Sequence, residues 1–429
     1  MLRDTQDKIL SIGISLYFLA WALTGLFTSV DGLMRLIPHY MGILSLFRTA
    51  VMVICYIVII LQKKIKLLFL IFGGFVITIF AVSAINRPDL TIYLGETFNH
   101  FVAKFAIAFI IVYIKNVSYI FKYLFRCSVI YFIFLILFLY NLYCNNTLIL
   151  FTNTLVGDCM LFSYTMLPFG CCLLYDTFKS KSTLKKIMFF VNLIIMIVWG
   201  CRGAIVSVCC YAIVLILRHY ILKKRYIDLL MISLVLIVSL MLIVFYLGDL
   251  NHFLNKELGI KSYSLTKLTN VSPSNTRTFT SGRSVLYKKN INDFEENYGF
   301  KGINADKSIL NKNYSHNFFL EVMYNFGWLL GSFIVLITIC FLFNTIFCKK
   351  NGSRDDLLIY FGVVAFTKLM FSNTFLDESF FYLWIALYTT KFKFKEKYIA
   401  LTQQNLSVNL LEETKCYKEI HNMPLIINK

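Results

Sequence analysis

The feature that most constrains this chain is repeated along it. Uninterrupted apolar stretches of about 20 residues, each long enough to cross a bilayer as a helix, recur through most of its length. We read about twelve such spans, at 9–30, 41–61, 65–85, 98–114, 119–140, 159–175, 184–201, 203–222, 228–248, 317–347, 357–372 and 379–390. Inside lipid every backbone N–H and C=O needs an internal partner, which only helices and closed barrels provide. Barrel strands alternate apolar and polar residues, whereas these runs are continuous, so helices are expected. One long polar segment, 249–315, separates the ninth span from the tenth. The expected fold is therefore all-α: a multi-pass membrane protein with one large loop. Its divisions are a membrane part at 1–248, the loop at 249–316, a second membrane part at 317–390, and a basic tail at 391–429.

Composition supports this class. Of 429 residues, 58% are hydrophobic and 15% charged, whereas soluble domains carry about 25% charged residues. The net charge of +19 would suggest nucleic acid in a soluble protein. Here its distribution argues otherwise. One set of connections carries Lys63, Lys64 and Lys66, then Lys115, Lys122 and Arg126, then Lys179, Lys181, Lys185 and Lys186. Arg218, Lys223, Lys224, Arg225, Lys349, Lys350 and Arg354 continue the set. The opposite short connections hold only Arg35, Arg87 and Arg202. By the positive-inside rule the basic set and both termini are cytoplasmic, and the long loop is outside. Most of the positive charge is thus topology, and no nucleic-acid partner is expected.

The 12 cysteines form no C-x-x-C pair. Several lie in apolar runs, where a thiol behaves as a small hydrophobe. Cys144 and Cys159 flank one outer segment and are the pair an oxidising compartment would allow to join. Ala20-Trp21-Ala22 resembles a cleavage site, but Asp4 and Asp7 oppose a basic signal n-region, so a retained first helix is expected.

Several residues carry candidate chemistry. Arg202 sits in Gly200-Cys201-Arg202-Gly203-Ala204, where one span ends and the next begins. An arginine at membrane depth needs a partner or must reach the surface. It is either a bidentate phosphate ligand or an interfacial anchor, and the residue alone leaves both open. Arg283, presented by Ser281-Gly282, is a second phosphate candidate, with Arg277 its rival; otherwise both are solvated loop charges. A helix is expected over 284–296 with Ser284 as its N-cap. His316 and Asn317 precede the tenth span. A helix N-terminus disfavours the imidazolium and keeps a neutral ring available as a base. Alternatively, Asn317 or Ser315 is an N-cap beside a structural histidine. Glu321 either orients a hydroxyl or favours the helix start. Gly327 and Gly331 form a small-xxx-small packing pair. Arg48, Lys104 and Lys368 lie within spans and call for buried partners or a route to the surface. Asp377 and Glu378 are candidate partners for loop arginines. No metal-ligand cluster or glycine-rich phosphate loop is visible, so no cofactor is expected.

Arg283, Tyr287, Gly299, Gly302, His316, Asn317, Glu321 and Gly327, in this order, resemble the large extracytoplasmic loop of the O-antigen polymerase and O-antigen ligase superfamily. The string Cys201-Arg202-Gly203-Ala204 resembles the arginine turn of that family. The resemblance implies a GT-C-like, metal-independent glycosyltransferase of the bacterial cytoplasmic membrane acting on a glycan carried by undecaprenyl diphosphate. It implies that His316 is catalytic, and that Arg202, Arg283, Tyr287, Asn317, Arg277 and Glu321 meet substrate. Membrane lipid, a chain-length regulator and a repeat-unit flippase would be partners. A polymerase joining lipid-linked repeat units is preferred to a ligase transferring glycan to lipid A core. The remaining alternative is a transporter or flippase. The position of the large loop, after the ninth span, disfavours two equal halves.

Overall fold

The structure is a computed structural model. It describes residues 2–28, 39–62, 67–144, 156–180, 182–257, 262, 265–266, 269, 283–296, 298–310, 314–347 and 352–391. Long apolar runs with few interior breakers wind into helices, and among the described residues there is no strand. In order these are α1 (Leu2–Thr28), α2 (Tyr40–Leu61), α3 (Leu67–Asn86), α4 (Thr91–Val112), α5 (Ser118–Cys144), α6 (Val156–Lys179), α7 (Thr183–Trp199), α8 (Arg202–Leu222), α9 (Tyr226–Lys256), α10 (Arg283–Glu296), α11 (Ala305–Ile309), α12 (Phe318–Phe326), α13 (Trp328–Phe347), α14 (Ser353–Phe371) and α15 (Ser379–Lys391). A 3₁₀ turn at Pro88–Leu90 leads into α4.

Among the described residues, seven helical stretches are long and apolar enough to cross a membrane: Arg3–Thr28, Tyr40–Leu61, Leu67–Asn86, Pro88–Val112, Ser118–Tyr140, Arg202–Leu222 and Trp328–Phe347. Their burial is inverted relative to a soluble protein. Ile60, Ile85 and Leu329 are 73%, 77% and 79% exposed, while Ser11, Ser15, Ser83 and Asn192 are buried. Apolar surface on this scale needs an apolar solvent, and the buried hydroxyls of Ser11 and Ser15 donate to carbonyls one turn back. The fold is that of a polytopic, all-helical membrane protein.

The first helix is a structural element, packed on α2, α4, α5 and α6. Residues Met1–Leu387 form one compact unit, which takes in the described residues of the long loop. Tyr388–Lys429 form a second unit, of which 388–391 are described.

Four expectations change. The stretch 317–347 is two helices, α12 and α13, because Gly327 adopts φ +77° and cannot continue a helix. Gly327 also abuts the loop: a Cβ there would come within 2.8 Å of the Gly299 carbonyl carbon and oxygen. Gly331 does pack closely, against the backbone of Met323 in α12. The loop helix starts at Arg283, so Ser284 lies inside its first turn rather than capping it. Asp377 meets His100 at 3.1 Å and Lys104 at 3.5 Å, and Glu378 meets Lys368 at 2.6 Å, so these carboxylates answer span cations rather than loop arginines. Cys144 forms no disulfide, and the side chain of Cys159 lies outside the described set.

The loop threads back into the helices. The N–H of Ile303 donates to Ser83 Oγ of α3 at 2.9 Å, and the Asn304 amide donates to Thr97 Oγ1 of α4 at 2.9 Å. Gly302, at φ +91°, makes the turn that allows this. Its N–H, with that of Lys301, donates to the Asn325 carbonyl at the end of α12. Lys301 reaches across to Asp293 of α10, which also accepts from the Tyr324 hydroxyl. These bonds dock α10 and α12 onto the ends of α3 and α4.

Candidate active site

The turn 314–317 is the centre of this docked region. Four residues from outside the turn fix it. Asp306 Oδ2 accepts from both the N–H and the Oγ of Ser315 at 2.9 Å. The Asn290 amide of α10 donates to Ser315 Oγ at 2.7 Å. The Tyr287 hydroxyl of α10 donates to the His316 carbonyl at 3.3 Å. The Tyr314 hydroxyl donates to the carbonyl of Ser372, just past α14. Asn317 then caps α12, its Oδ1 accepting from the N–H groups of Phe319 and Leu320 at 3.0 and 3.2 Å. The cap reading is therefore correct, and its side chain also meets the Tyr287 hydroxyl.

His316 sits just before that cap, at φ +51°. A left-handed backbone is uncommon outside glycine, though histidine is among the residues more often found there. Its ring packs on Tyr314 with centroids 4.1 Å apart. Its Nδ1 is buried and has no hydrogen-bond partner among the described residues. Burial, and then the charge of Arg283, lower the imidazole from 6.5 to about 4. The ring is therefore neutral at pH 7.

Arg283, half-buried at the start of α10, is the cation of this cluster. It lies within electrostatic reach of Tyr287, Tyr314 and His316, and of Tyr164 in α6. Tyr164 connects the cluster to the second arginine. Its hydroxyl lies where a Cβ on Gly203 would fall, 2.1 Å away. Gly203 follows Arg202, which opens α8. Gly200 is equally constrained: a Cβ there would meet the Met196 carbonyl oxygen at 2.2 Å. The glycines flanking Arg202 thus let the α7–α8 turn press against its neighbours. Ser163 Oγ, beside Tyr164, accepts the N–H of Cys201 at 3.1 Å. Lys368 completes the surroundings, paired with Glu378 and within 5.5 Å of the Tyr164 ring centroid.

The structure therefore brings Arg283, Tyr287, His316 and Asn317 together, with the Arg202 turn joined through Tyr164. Glu321 is different. It is 2% exposed and accepts from the Thr374 hydroxyl, tying α12 to the segment after α14. Burial, and then the nearness of Asp306, push its carboxyl well above the usual range. Arg277 lies outside the described residues. Asp306, Asn290, Tyr314 and Tyr164 were not singled out from sequence. Tyr314 lies two residues before His316 and was findable on that ground; the other three carry no local signal, because only the fold brings them to the turn.

The class of protein defined by fold and site is a multi-pass helical membrane protein with a polar cluster at one end of its bundle. Comparison with known proteins adds no identity: no family model, no curated protein and no solved structure matches this chain.

Proposed function

We propose that this protein is a glycosyltransferase that polymerises glycan repeat units carried on undecaprenyl diphosphate, at the outer face of a bacterial cytoplasmic membrane. In this reading the helices α1–α9 and α13–α15 are spans of a GT-C-like membrane protein. The loop between α9 and α12 is extracytoplasmic. The observation that carries the proposal is the meeting of Arg283, His316 and Tyr287 in one cluster beside the Arg202 turn, from segments far apart in sequence.

The chemistry needs two things. The acceptor hydroxyl must lose its proton as its oxygen attacks the anomeric carbon of the donor, and the bond from that carbon to the diphosphate oxygen must break. His316 takes the proton, and Arg202 and Arg283 stabilise the departing lipid diphosphate through paired N–H donors. The depressed basicity of His316 fits a base that works only when loaded. A bound diphosphate would offset the Arg283 charge and raise the affinity of the ring for a proton.

The test is purified protein in detergent with lipid-linked repeat unit. Wild type is expected to lengthen the glycan, and His316→Ala to lose activity by about 10²–10⁴-fold at equal protein level. Arg202→Lys and Arg283→Lys are expected to fall as well, because lysine keeps the charge but not the planar fork. Absence of extension by wild type, or extension that survives His316→Ala, overturns the reading.

A further inference from the structure

A cavity lies at the opposite end of the bundle from the His316 turn. Its volume is about 640 Å³, and it opens where the ends of α6, α8, α9 and α14 converge. The helix α8 runs from Arg202 to Leu222, which at 1.5 Å per residue is roughly 30 Å, the thickness of a bilayer core. The cavity and the candidate active site are thus on opposite membrane faces.

Its lining has two parts. One is cationic: Lys179, Arg218 and Lys223, with His219 beside them. Among the described residues the lining holds one carboxylate, Asp356, which already accepts from Lys179 and from the Tyr175 hydroxyl, both at 2.6 Å. Arg218 is 6% exposed and reaches the last carbonyls of α13, those of Thr345 and Ile346, at 3.5 and 3.4 Å. The other part is apolar: Phe178, Leu215, Ile216, Leu222 and Ile232. Asp356 offsets the charge of Lys179, and with Arg218 and Lys223 the described lining still carries more positive than negative charge, an excess that an anion would balance. The apolar walls call for hydrocarbon attached to it.

We propose that this cavity binds the phosphodiester headgroup of an anionic membrane lipid, with its acyl chains along the apolar wall. A free phosphate would meet the cations but leave that wall in water. The positive-inside rule explains why lysines and arginines lie at this end. It does not explain a buried arginine in the lining of a mixed cationic and apolar cavity between four helix ends. Basic pockets between helices on such a face are a known way of holding anionic headgroups.

The experiment titrates the full chain in detergent with phosphatidylglycerol and follows bound lipid by native mass spectrometry. Phosphatidylcholine and glycerol 1-phosphate serve as separate arms. The expected result is saturable binding of phosphatidylglycerol, with no comparable binding of either control. Lys223→Glu, at an exposed position that should not disturb folding, is expected to weaken it about tenfold. Arg218→Gln is expected to weaken it at least as much. Lys186→Gln, which removes an exposed lysine outside the cavity, should leave binding unchanged. Equal loss in Lys186→Gln would show a diffuse surface effect. That outcome overturns the proposal, as do undiminished binding in Lys223→Glu and equal binding of phosphatidylcholine. Competition by glycerol 1-phosphate at similar concentration would assign the cavity to a soluble phosphate instead, and also overturns it.

Discussion

His316 shows how much one residue can be asked to hold. Its backbone is left-handed, its Nδ1 is buried without a partner among the described residues, and Arg283 stands near it. The φ value gives a stability prediction separable from activity. Alanine retains the Cβ that a left-handed backbone disfavours, at a cost of about 1–2 kcal/mol, whereas glycine does not. Both His316→Ala and His316→Gly should be inactive, but the glycine variant should have the higher Tm. Identical melting temperatures would count against the left-handed turn. The imidazole gives a pH prediction. An ordinary histidine titrates near 6.5, and this one, folded, near about 4. Between those values the unfolded chain holds a proton that the folded chain does not, so stability falls as pH drops from 6.5 toward 4. In His316→Gln that contribution is gone. Its Tm should decline less steeply than that of wild type across this window, and parallel curves would show that His316 is not held neutral.

Among the elements, α12 is the one the site depends on, and its two ends are set differently. The start is a local matter: Asn317 caps it, as short polar side chains do. The end is a tertiary matter. Gly327 turns the chain at φ +77° and lies against the Gly299 carbonyl. Gly327→Ala therefore meets both a backbone penalty and a steric one, and should lower stability by about 2 kcal/mol or more. Gly95→Ala, in α4 with open space around it, should be neutral or slightly stabilising, since alanine favours helix. Similar melting curves for the two would mean that α12 and the Gly299 turn are not docked. Asp306 in α11 tests positioning. Asp306→Leu leaves the buried Ser315 N–H without its acceptor, which costs about 1–3 kcal/mol. It should lower turnover through displacement of His316, and Asp306→Asn, which keeps one oxygen, should recover part of it. Full activity in Asp306→Leu would remove Asp306 from the positioning network.

At the scale of the whole molecule the question is which side each end of the bundle faces. On the lysine and arginine asymmetry, we propose that the His316 end faces outside and the cavity of Arg218 inside. A reporter that is active only outside should therefore work when fused after Asn275 and be silent after Lys393. The reverse pattern would place the proposed site on the side where lipid-linked repeats are built rather than joined. The ion pairs within the bundle follow from the same medium. Lys368 and Glu378 are both nearly inaccessible and lie 2.6 Å apart. Breaking such a pair from one side leaves a buried charge uncompensated. Lys368 is also 5.6 Å from the Trp21 ring centroid and 5.5 Å from that of Phe380. This contact set joins α1, α6, α14 and α15, elements far apart in the chain.

The membrane class, the helices and the start of α12 could be read from the chain because each depends on local properties. Apolar runs of the right length have few alternatives in lipid, and Asn317 caps a helix whatever surrounds it. Arg202 between glycines and His316 before Asn317 were legible for the same reason, as unusual residues at the ends of apolar runs. What the sequence could not state is which of these ends meet. The joining of Tyr164 to Gly203, the hold of Asp306 on Ser315, the pairing of Lys368 with Glu378 and the break at Gly327 all depend on distances between segments remote in the chain. Those distances are set by packing, and in a bundle whose outward faces are uniformly apolar, hydropathy carries almost no information about which helix lies against which.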